Sequence, residues 1–505
     1  MTGRSVWQGA FWLSVGSFVS RLIGAVYRIF LPRVLGDYGV GLFQMAYPLY
    51  SILLAVSVNG IPTALAKQMA EKLTRGEVAD AERLASWAEV GLGFLGMGLA
   101  VWMELSSGWI AVHVFHEPKA VWAMRALAPA LAFVALEASF RGYFQGYQNM
   151  VPTAVSQILE QLARVMVMFP LAYHWLPHGV DKAAAGATLG APAGAFVGML
   201  YLLTQRISQK KPHHLRGVPW RDLWRLAIIA LPMSLSGLLF PLMLMADSMF
   251  VPLRLEKTGL NLYQATAQFG QLSGEAMPLI NLTMVIGAAL AVSLVPAVAR
   301  ALASQDRALA SRRVAQAMHL VWLLGLPMAF GLALLAKPLT LMLYGETGAA
   351  AALAVLALGA PVLAMQQILG SSLQAAGYGW VPVKNLIFGG LVKFLATWWL
   401  TAIPGLGIRG AAWGTVLAAV TTAYLNWRDW EGRVMPGTRP WVTVGWPLVG
   451  SVVMMMGIRV WFHLIDTPSA TVRSLTGVMV GIATYGGVVI LSGEWQAIRR
   501  VLHER

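Results

Sequence analysis

The sequence predicts an all-α polytopic membrane protein of about fourteen transmembrane helices. These form two six-helix lobes related by a pseudo-two-fold axis along the membrane normal, with two more helices at the C-terminus. Three observations predict it: a scarcity of charge, a succession of apolar stretches near twenty residues long, and motifs that recur in order along the chain. Of the 505 residues 57% are hydrophobic and only 12% charged, with a mean hydropathy of +0.64. A soluble domain carries roughly 25% charged residues. Such depletion suits a surface facing hydrocarbon, where ionised groups are costly.

A bilayer core of ~30 Å takes about twenty apolar residues per helix. Stretches that qualify begin near positions 6, 40, 85, 120, 151, 183, 224, 268, 314, 350, 382, 409, 440 and 472, and are numbered spans 1 to 14. The first, Val6 to Leu31, is too long for a signal-peptide core and contains Arg21 and Arg28, which reads as a permanent helix. Pro62, Pro232, Pro278 and Pro296 fall in or beside spans and are expected to interrupt them, as in transporter helices that line cavities.

The net charge of +15 lies mostly in short loops between apolar stretches, which is topology information rather than a nucleic-acid footprint. Twenty-two of the 37 Lys and Arg fall in loops on the side of the termini, among them Arg141 and Arg206. Eight fall opposite: Arg33, Lys119, Lys182, Arg254, Lys257, Lys337, Arg409 and Arg473. Seven lie within spans: Arg21, Arg28, Arg125, Arg164, Lys384, Lys393 and Arg459. The positive-inside rule then places both termini in the cytoplasm of a bacterial cell, with the chain multi-pass in the plasma membrane.

The halves echo each other at a separation near 230 residues. Gly60-Ile61-Pro62 pairs with Leu294-Val295-Pro296, Met150-Val151-Pro152 with Trp380-Val381-Pro382, and Ala185-Gly186-Ala187 with Arg409-Gly410-Ala411. Six spans separate the copies, so they share one orientation. The expected organisation is an N-lobe at 1–205, a basic cytoplasmic linker at 206–222, a C-lobe at 223–430, and spans 13 and 14 with a cytoplasmic tail at 431–505.

There is no cysteine, which excludes disulfides and thiolate chemistry. The nine histidines show no ligand spacing, so neither a metal nor a cofactor is expected. Attention falls on polar groups inside spans. Span 1 carries Ser14, Ser17, Arg21, Gly24 and Arg28 at helical spacing; the arginines are two turns, ~10.5 Å, apart on one face. Guanidinium forks suit phosphate oxygens, and both arginines are candidate ligands. Span 5 adds Gln157, Glu160, Gln161 and Arg164, where Glu160 and Arg164 either neutralise each other or serve a ligand. Asp247 in span 7 and Glu275 in span 8, beside Gln268 and Gln271, suit either cation coupling or a counter-ion role. Lys384 and Lys393 in span 11 lie nine residues, about 180°, apart around the helix, so at most one faces a cavity. Tyr47, Tyr50 and Asn59 in span 2 are either cavity lining or packing.

Ser20-Arg21-Leu22-Ile23-Gly24, Gly60-Ile61-Pro62, the run from Arg141 to Gln157 (RGYFQGYQNMVPTAVSQ) and Pro404 to Ala412 resemble the polysaccharide-transporter branch of the multidrug/oligosaccharidyl-lipid/polysaccharide exporter superfamily. Within it they are most similar to the stage V sporulation protein B/YtgP group, which is itself similar to MurJ-type lipid II flippases. The resemblance covers spans 1 to 12 and is most specific between spans 4 and 5. It implies a two-lobed MATE-like bundle moving undecaprenyl-pyrophosphate-linked saccharide, above all the peptidoglycan precursor lipid II, between leaflets by alternating access. The implied partners are that lipid-linked saccharide, the bilayer and the cell-wall synthesis machinery, in vegetative growth or sporulation, and no nucleic acid. Substrate contacts would fall to Arg21, Arg28, Ser17, Tyr47, Gln157, Arg164 and Lys393, and coupling or counter-ion roles to Glu160, Asp247 and Glu275. One departure is that the lipid II branch carries two cavity arginines six apart in span 1 and another in span 2. Here the spacing is seven and span 2 has none, so the lipid does not follow from the resemblance.

A cation-coupled multidrug exporter or another polysaccharide exporter of the same superfamily is the alternative within transport. An integral-membrane glycosyltransferase or phosphatase is disfavoured, because the aspartates are isolated and no loop could hold a catalytic domain.

Overall fold

The computed structural model describes residues 3–58, 60–209, 217–435, 443–465 and 469–495, with the backbone alone at 3–11, 232, 235, 236 and 286. Asn59, residues 210–216 of the expected linker and the tail from 496 lie outside the described residues. The regular structure described is all helical: α1 Gly3–Ser57, α2 Ile61–Thr74, α3 Val78–His113, α4 Ala120–Leu127, α5 Pro129–Gly146, α6 Val151–Trp175, α7 Val180–Thr188, α8 Gly190–Ser208 and α9 Trp220–Glu256. There follow α10 Leu262–Gly270, α11 Met277–Ala303, α12 Arg307–Leu334, α13 Ala336–Tyr344, α14 Ala350–Ala375, α15 Trp380–Leu400, α16 Ile408–Arg433, α17 Gly445–Leu464 and α18 Ala470–Leu491. A π-helical segment, Gln271–Ala276, joins α10 to α11. Helices satisfy their backbone groups internally, as a chain in hydrocarbon must.

The stretch expected from 440 begins as helix at Gly445, and the other thirteen starts fall within helices. Among the described residues ten segments are both long and apolar enough to cross a membrane, so the fold class holds while the count of fourteen rests on the sequence. Helices α6, α15 and α16 are not among the ten. They are long enough, at 25, 21 and 26 residues, but carry ionised or amide side chains within their length. Spans 1 and 2 are two helices that meet at a kink at Gly36 with no loop between them; its φ of 66° and ψ of 170° suit glycine alone. Pro62 and Pro278 occupy the first turns of α2 and α11, where a missing N–H costs nothing. Pro232 and Pro296 correct the expectation, since α9 and α11 run through them.

Loop assignments are also corrected, because helices outrun their apolar stretches and carry many of the cations counted in loops. Lys67 and Lys72 lie on α2 and Arg83 on α3; Arg141 lies within α5 and Arg206 within α8. Arg206 has a side chain 0% exposed, ion-paired to Glu82 at 2.8 Å and Glu89 at 3.1 Å, with its guanidinium 3.9 Å from the Tyr143 ring centroid.

The chain packs as two compact units, Met1–Met249 with Leu262–Gly270, and Phe250–Asn261 with Gln271–Arg505. The division falls inside α9 and on either side of α10. In the first unit, α9 is tied to α2 by Lys72–Asp222 at 2.9 Å and Arg225–Glu71 at 3.1 Å. Gly60 lets the Ala230 carbonyl come close, and α10 lies on α1 where Gly41 and Gly270 meet backbone.

The backbone repeats at a constant separation. His116, Gln148 and Gln305 have φ of 57°, 59° and 60°, and the residues 229 positions away are Gly345, Gly377 and Gly76, with φ of 85°, 87° and 80°. The helix closures match as well: Asn149 N–H donates to the Phe144 carbonyl and Tyr378 N–H to that of Leu373, both at 2.9 Å. Each is a left-handed helix stop of the Schellman type.

Candidate functional site

The polar residues of the first unit converge where α1, α5 and α6 pack. Helices α1 and α6 run parallel: Gly16 abuts Ala154, the Ser17 hydroxyl donates to Gln157 Oε1 at 2.8 Å, and Gly24 faces Gln161. Further along the seam, Tyr27 lies within electrostatic range of Arg164. Glycines and serines permit this approach, as small residues do between membrane helices.

A chain of alternating charge stands against this seam. The Arg141 Nη2 group lies 3.1 Å from Glu137 Oε1 and 3.0 Å from Glu160 Oε2, and Arg164 Nη2 lies 2.9 Å from Glu160 Oε1. Two i,i+4 pairs, one on α5 and one on α6, are thus bridged across the helices. The Glu137 side chain is 0% exposed, and Gly198 leaves room for its carboxylate. Two guanidinium groups and two carboxylates sum to zero, which makes ionised groups tolerable at membrane depth. Tyr47 and Tyr50 line up beside the network with ring centroids 6.2 Å apart.

Arg21 and Arg28 differ from the network. Both are exposed, and neither pairs with a carboxylate of the described residues. At 100° per residue they stand about 70–90° around α1 from the centre of the α6 seam, on its rim. Arg28 lies 6.0 Å from the Tyr27 ring centroid. Buried polar atoms without a hydrogen-bond partner gather on the same elements: Ser20 Oγ, Tyr47 Oη, Gln161 Oε1 and Arg164 Nε. Such atoms carry a desolvation cost unless something else bonds them.

Of the expected residues, Ser17, Arg21, Arg28, Tyr47, Gln157, Glu160 and Arg164 thus share one region of the first unit. Asp247 lies on α9 in that unit, while Lys393, which is buried, and Glu275 belong to the second. No group of three or more metal-ligating side chains occurs among the described residues. Glu137 and Arg141 escaped sequence reasoning. Their i,i+4 spacing within an apolar helix was the available signal, masked by counting Arg141 as a loop cation.

Comparison with known proteins agrees with this architecture. Residues 6–302 match the family described as "Polysaccharide biosynthesis protein", and residues 273–399 match the MatE family. The chain is 29% identical to Stage V sporulation protein B of Bacillus subtilis (strain 168) over 432 residues, covering 84% of this chain and 83% of that one. To the Lipid II flippase MurJ of the same strain it is 25% identical over 362 residues, covering 67% and 66%. A solved structure of the lipid II flippase MurJ in an inward closed conformation shares the fold at a TM-score of 0.71 and 16% identity, covering 96% of this chain and 99% of that one. The resemblance read from Arg141 to Gln157 is therefore borne out, and the chain belongs to the polysaccharide biosynthesis protein family, as a multi-pass membrane transporter of the MATE/MurJ fold and not an enzyme.

Proposed function

We propose that this transporter is a flippase carrying an undecaprenyl-pyrophosphate-linked saccharide, specifically lipid II, from the inner to the outer leaflet of the plasma membrane. It does so by alternating access of its two lobes, with both termini in the cytoplasm. The observation that supports this reading is the arginine pair on α1. The neighbouring network cancels its own charge, so exposed Arg21 and Arg28 leave net positive charge at membrane depth. A pyrophosphate crossing ~30 Å of hydrocarbon needs a fixed cation that stays ionised, as arginine does. Ser17, Tyr47 and Gln157 add hydroxyl and amide groups along the same seam, and Arg164 contacts substrate where Glu160 yields it. Lys393 is the second lobe's contribution. Glu160, Asp247 and Glu275 act as counter-ions or in coupling. The names borne by the B. subtilis relatives support the same substrate class.

The test is complementation in a host depleted of its own flippase, reading lipid II orientation. Arg21→Ala is expected to abolish flipping while the protein inserts and accumulates normally. Arg21→Lys is expected to keep partial activity, since charge remains and the bidentate fork is lost. Flipping at the wild-type rate in Arg21→Ala would place the site elsewhere. Unchanged lipid II with altered drug resistance on depletion would favour the multidrug-exporter reading.

A further inference from the structure

Cations are scarce on the side of the chain opposite its termini, yet three of those eight gather at one place in the second unit. Lys337 opens α13, Arg409 opens α16 and Arg473 lies in the first turn of α18; Arg459 and His463, near the end of α17, join them. Together they line an open cavity of 870 Å³, and no described residue lining it is acidic. None of the four Lys and Arg side chains pairs with a carboxylate of the described residues, and all four are exposed. Arg473 is steadied by the Phe462 ring, 4.8 Å from its guanidinium.

The backbone adds the same sign. The first turns of α13, α14, α16 and α18 all contribute lining residues. Only α18 has its N-terminus capped by a side chain, Ser469, while α13, α14 and α16 have none. Some first-turn N–H groups there are held by loop carbonyls, as Arg409 by Leu406 and Ala350 by Thr347, and the helix dipoles place partial positive charge at these ends. Four cations and several helix N-termini around one cavity repel one another, and an anion removes that repulsion. The walls beyond the cavity are apolar: Val460, Leu464, Leu475 and Met479 on α17 and α18 are 55%, 75%, 56% and 69% exposed, as lipid-facing side chains are.

We infer that this cavity is a binding site for the phosphate group of an anionic lipid, with the lipid's chains lying along α17 and α18. Basic pockets between membrane helices hold such headgroups, and guanidinium groups match phosphate oxygens better than water does. The site is separate from the α1 arginines and does not depend on the transported substrate. Its volume exceeds a bare phosphate and suits a phosphate bearing a polar substituent such as glycerol.

The experiment uses the full chain purified in detergent, with bound lipid counted by native mass spectrometry. The probes are phosphatidylglycerol, phosphatidylcholine and inorganic phosphate. Wild type is expected to hold phosphatidylglycerol at least tenfold more tightly than phosphatidylcholine, about 1.4 kcal/mol. That preference should vanish in the K337Q/R409Q/R459Q/R473Q variant. It should persist in R409K/R459K/R473K, which keeps the charge, and in R307Q/R312Q, which removes two cations elsewhere. An excess of inorganic phosphate should leave the lipid bound. The inference is overturned if the glutamine variant keeps the wild-type preference, or if the lysine variant loses it while the protein stays monodisperse. Displacement of phosphatidylglycerol by inorganic phosphate alone would overturn the lipid as the source of the anion.

Discussion

Replacing Arg141 by leucine tests whether the α5–α6 network is held together as its geometry implies. The substitution leaves Glu160 its partner Arg164 at 2.9 Å, but removes the one ion-pair partner that Glu137, with its side chain 0% exposed, has among the described residues. Its Oε2 atom already lacks a hydrogen-bond partner. Unit charges ~4 Å apart at an effective dielectric near 20 interact by about 4 kcal/mol. Removing one member of a buried pair costs about 3–5 kcal/mol by experiment, and the two routes agree. Arg141→Leu is therefore expected to lose about 3–5 kcal/mol in unfolding titrations with a denaturing detergent in mixed micelles. Glu137→Gln added to that background should recover at least about 2 kcal/mol, because no unpaired charge then remains. If Arg141→Leu stays within about 1 kcal/mol of wild type, or Glu137→Gln gives no recovery, Glu137 does not rely on Arg141 and the network is not one unit.

Gly36→Ala forces a side chain into φ 66°, ψ 170° and should cost about 1–3 kcal/mol, read by the same titration; a neutral result would mean α1 can straighten there. The left-handed helix stops predict opposite signs at equivalent positions. Gln148→Gly should be neutral or stabilising, whereas Gly377→Ala, at φ 87°, should destabilise by about 1 kcal/mol. For topology, the chain has no native cysteine, so single probes are clean. Lys257→Cys, exposed between α9 and α10, should react with an impermeant maleimide in intact cells, and Arg75→Cys only after permeabilisation. The reverse pattern would invert the proposed orientation.

Most of the helical frame was legible in the sequence because hydrocarbon imposes a length and an apolarity that twenty residues display locally. The site was half legible. Glu160 and Arg164 announce themselves as an i,i+4 pair, and Ser17 and Gln157 as polar positions on helical faces. What stayed hidden depends on where a helix stops. Arg141 and Arg206 follow apolar stretches closely enough to be counted as loop cations, but α5 continues to Gly146 and α8 to Ser208, which carries both side chains into buried ion pairs. Likewise the break between spans 1 and 2 needed only Gly36 rather than a loop, because one residue in a glycine conformation redirects a helix without unwinding it.

The repeat bears on whether the charged network serves folding or function. In the first unit Gly186 fits against the Leu171 carbonyl, Gly190 against that of Arg164 and Gly194 against that of Glu160. In the second, Gly410 fits against the Leu400 carbonyl, Gly414 against Lys393, and Gly389 against the Ala418 carbonyl. The two helix pairs are thus packed in the same register, with Leu171 matching Leu400, Arg164 matching Lys393 and Glu160 matching Gly389. At the positions of Gln157, Glu160 and Gln161 the second copy has Leu386, Gly389 and Gly390. At those three positions the close packing is achieved with no carboxylate and no amide, while the polar contacts of this seam lie elsewhere, where Asn385 Nδ2 donates to Asn426 Oδ1 at 3.0 Å and to Asp429 Oδ2 at 2.9 Å. Helix association in a membrane needs small residues and shape, and both copies supply those; ionised groups add insertion cost. A carboxylate at the Glu160 position, where the second copy has Gly389, is not required for the close packing of these helices, and here it is held by two arginines. That asymmetry argues that the polar face of α6, and the exposed arginines of α1 beside it, are kept for a ligand.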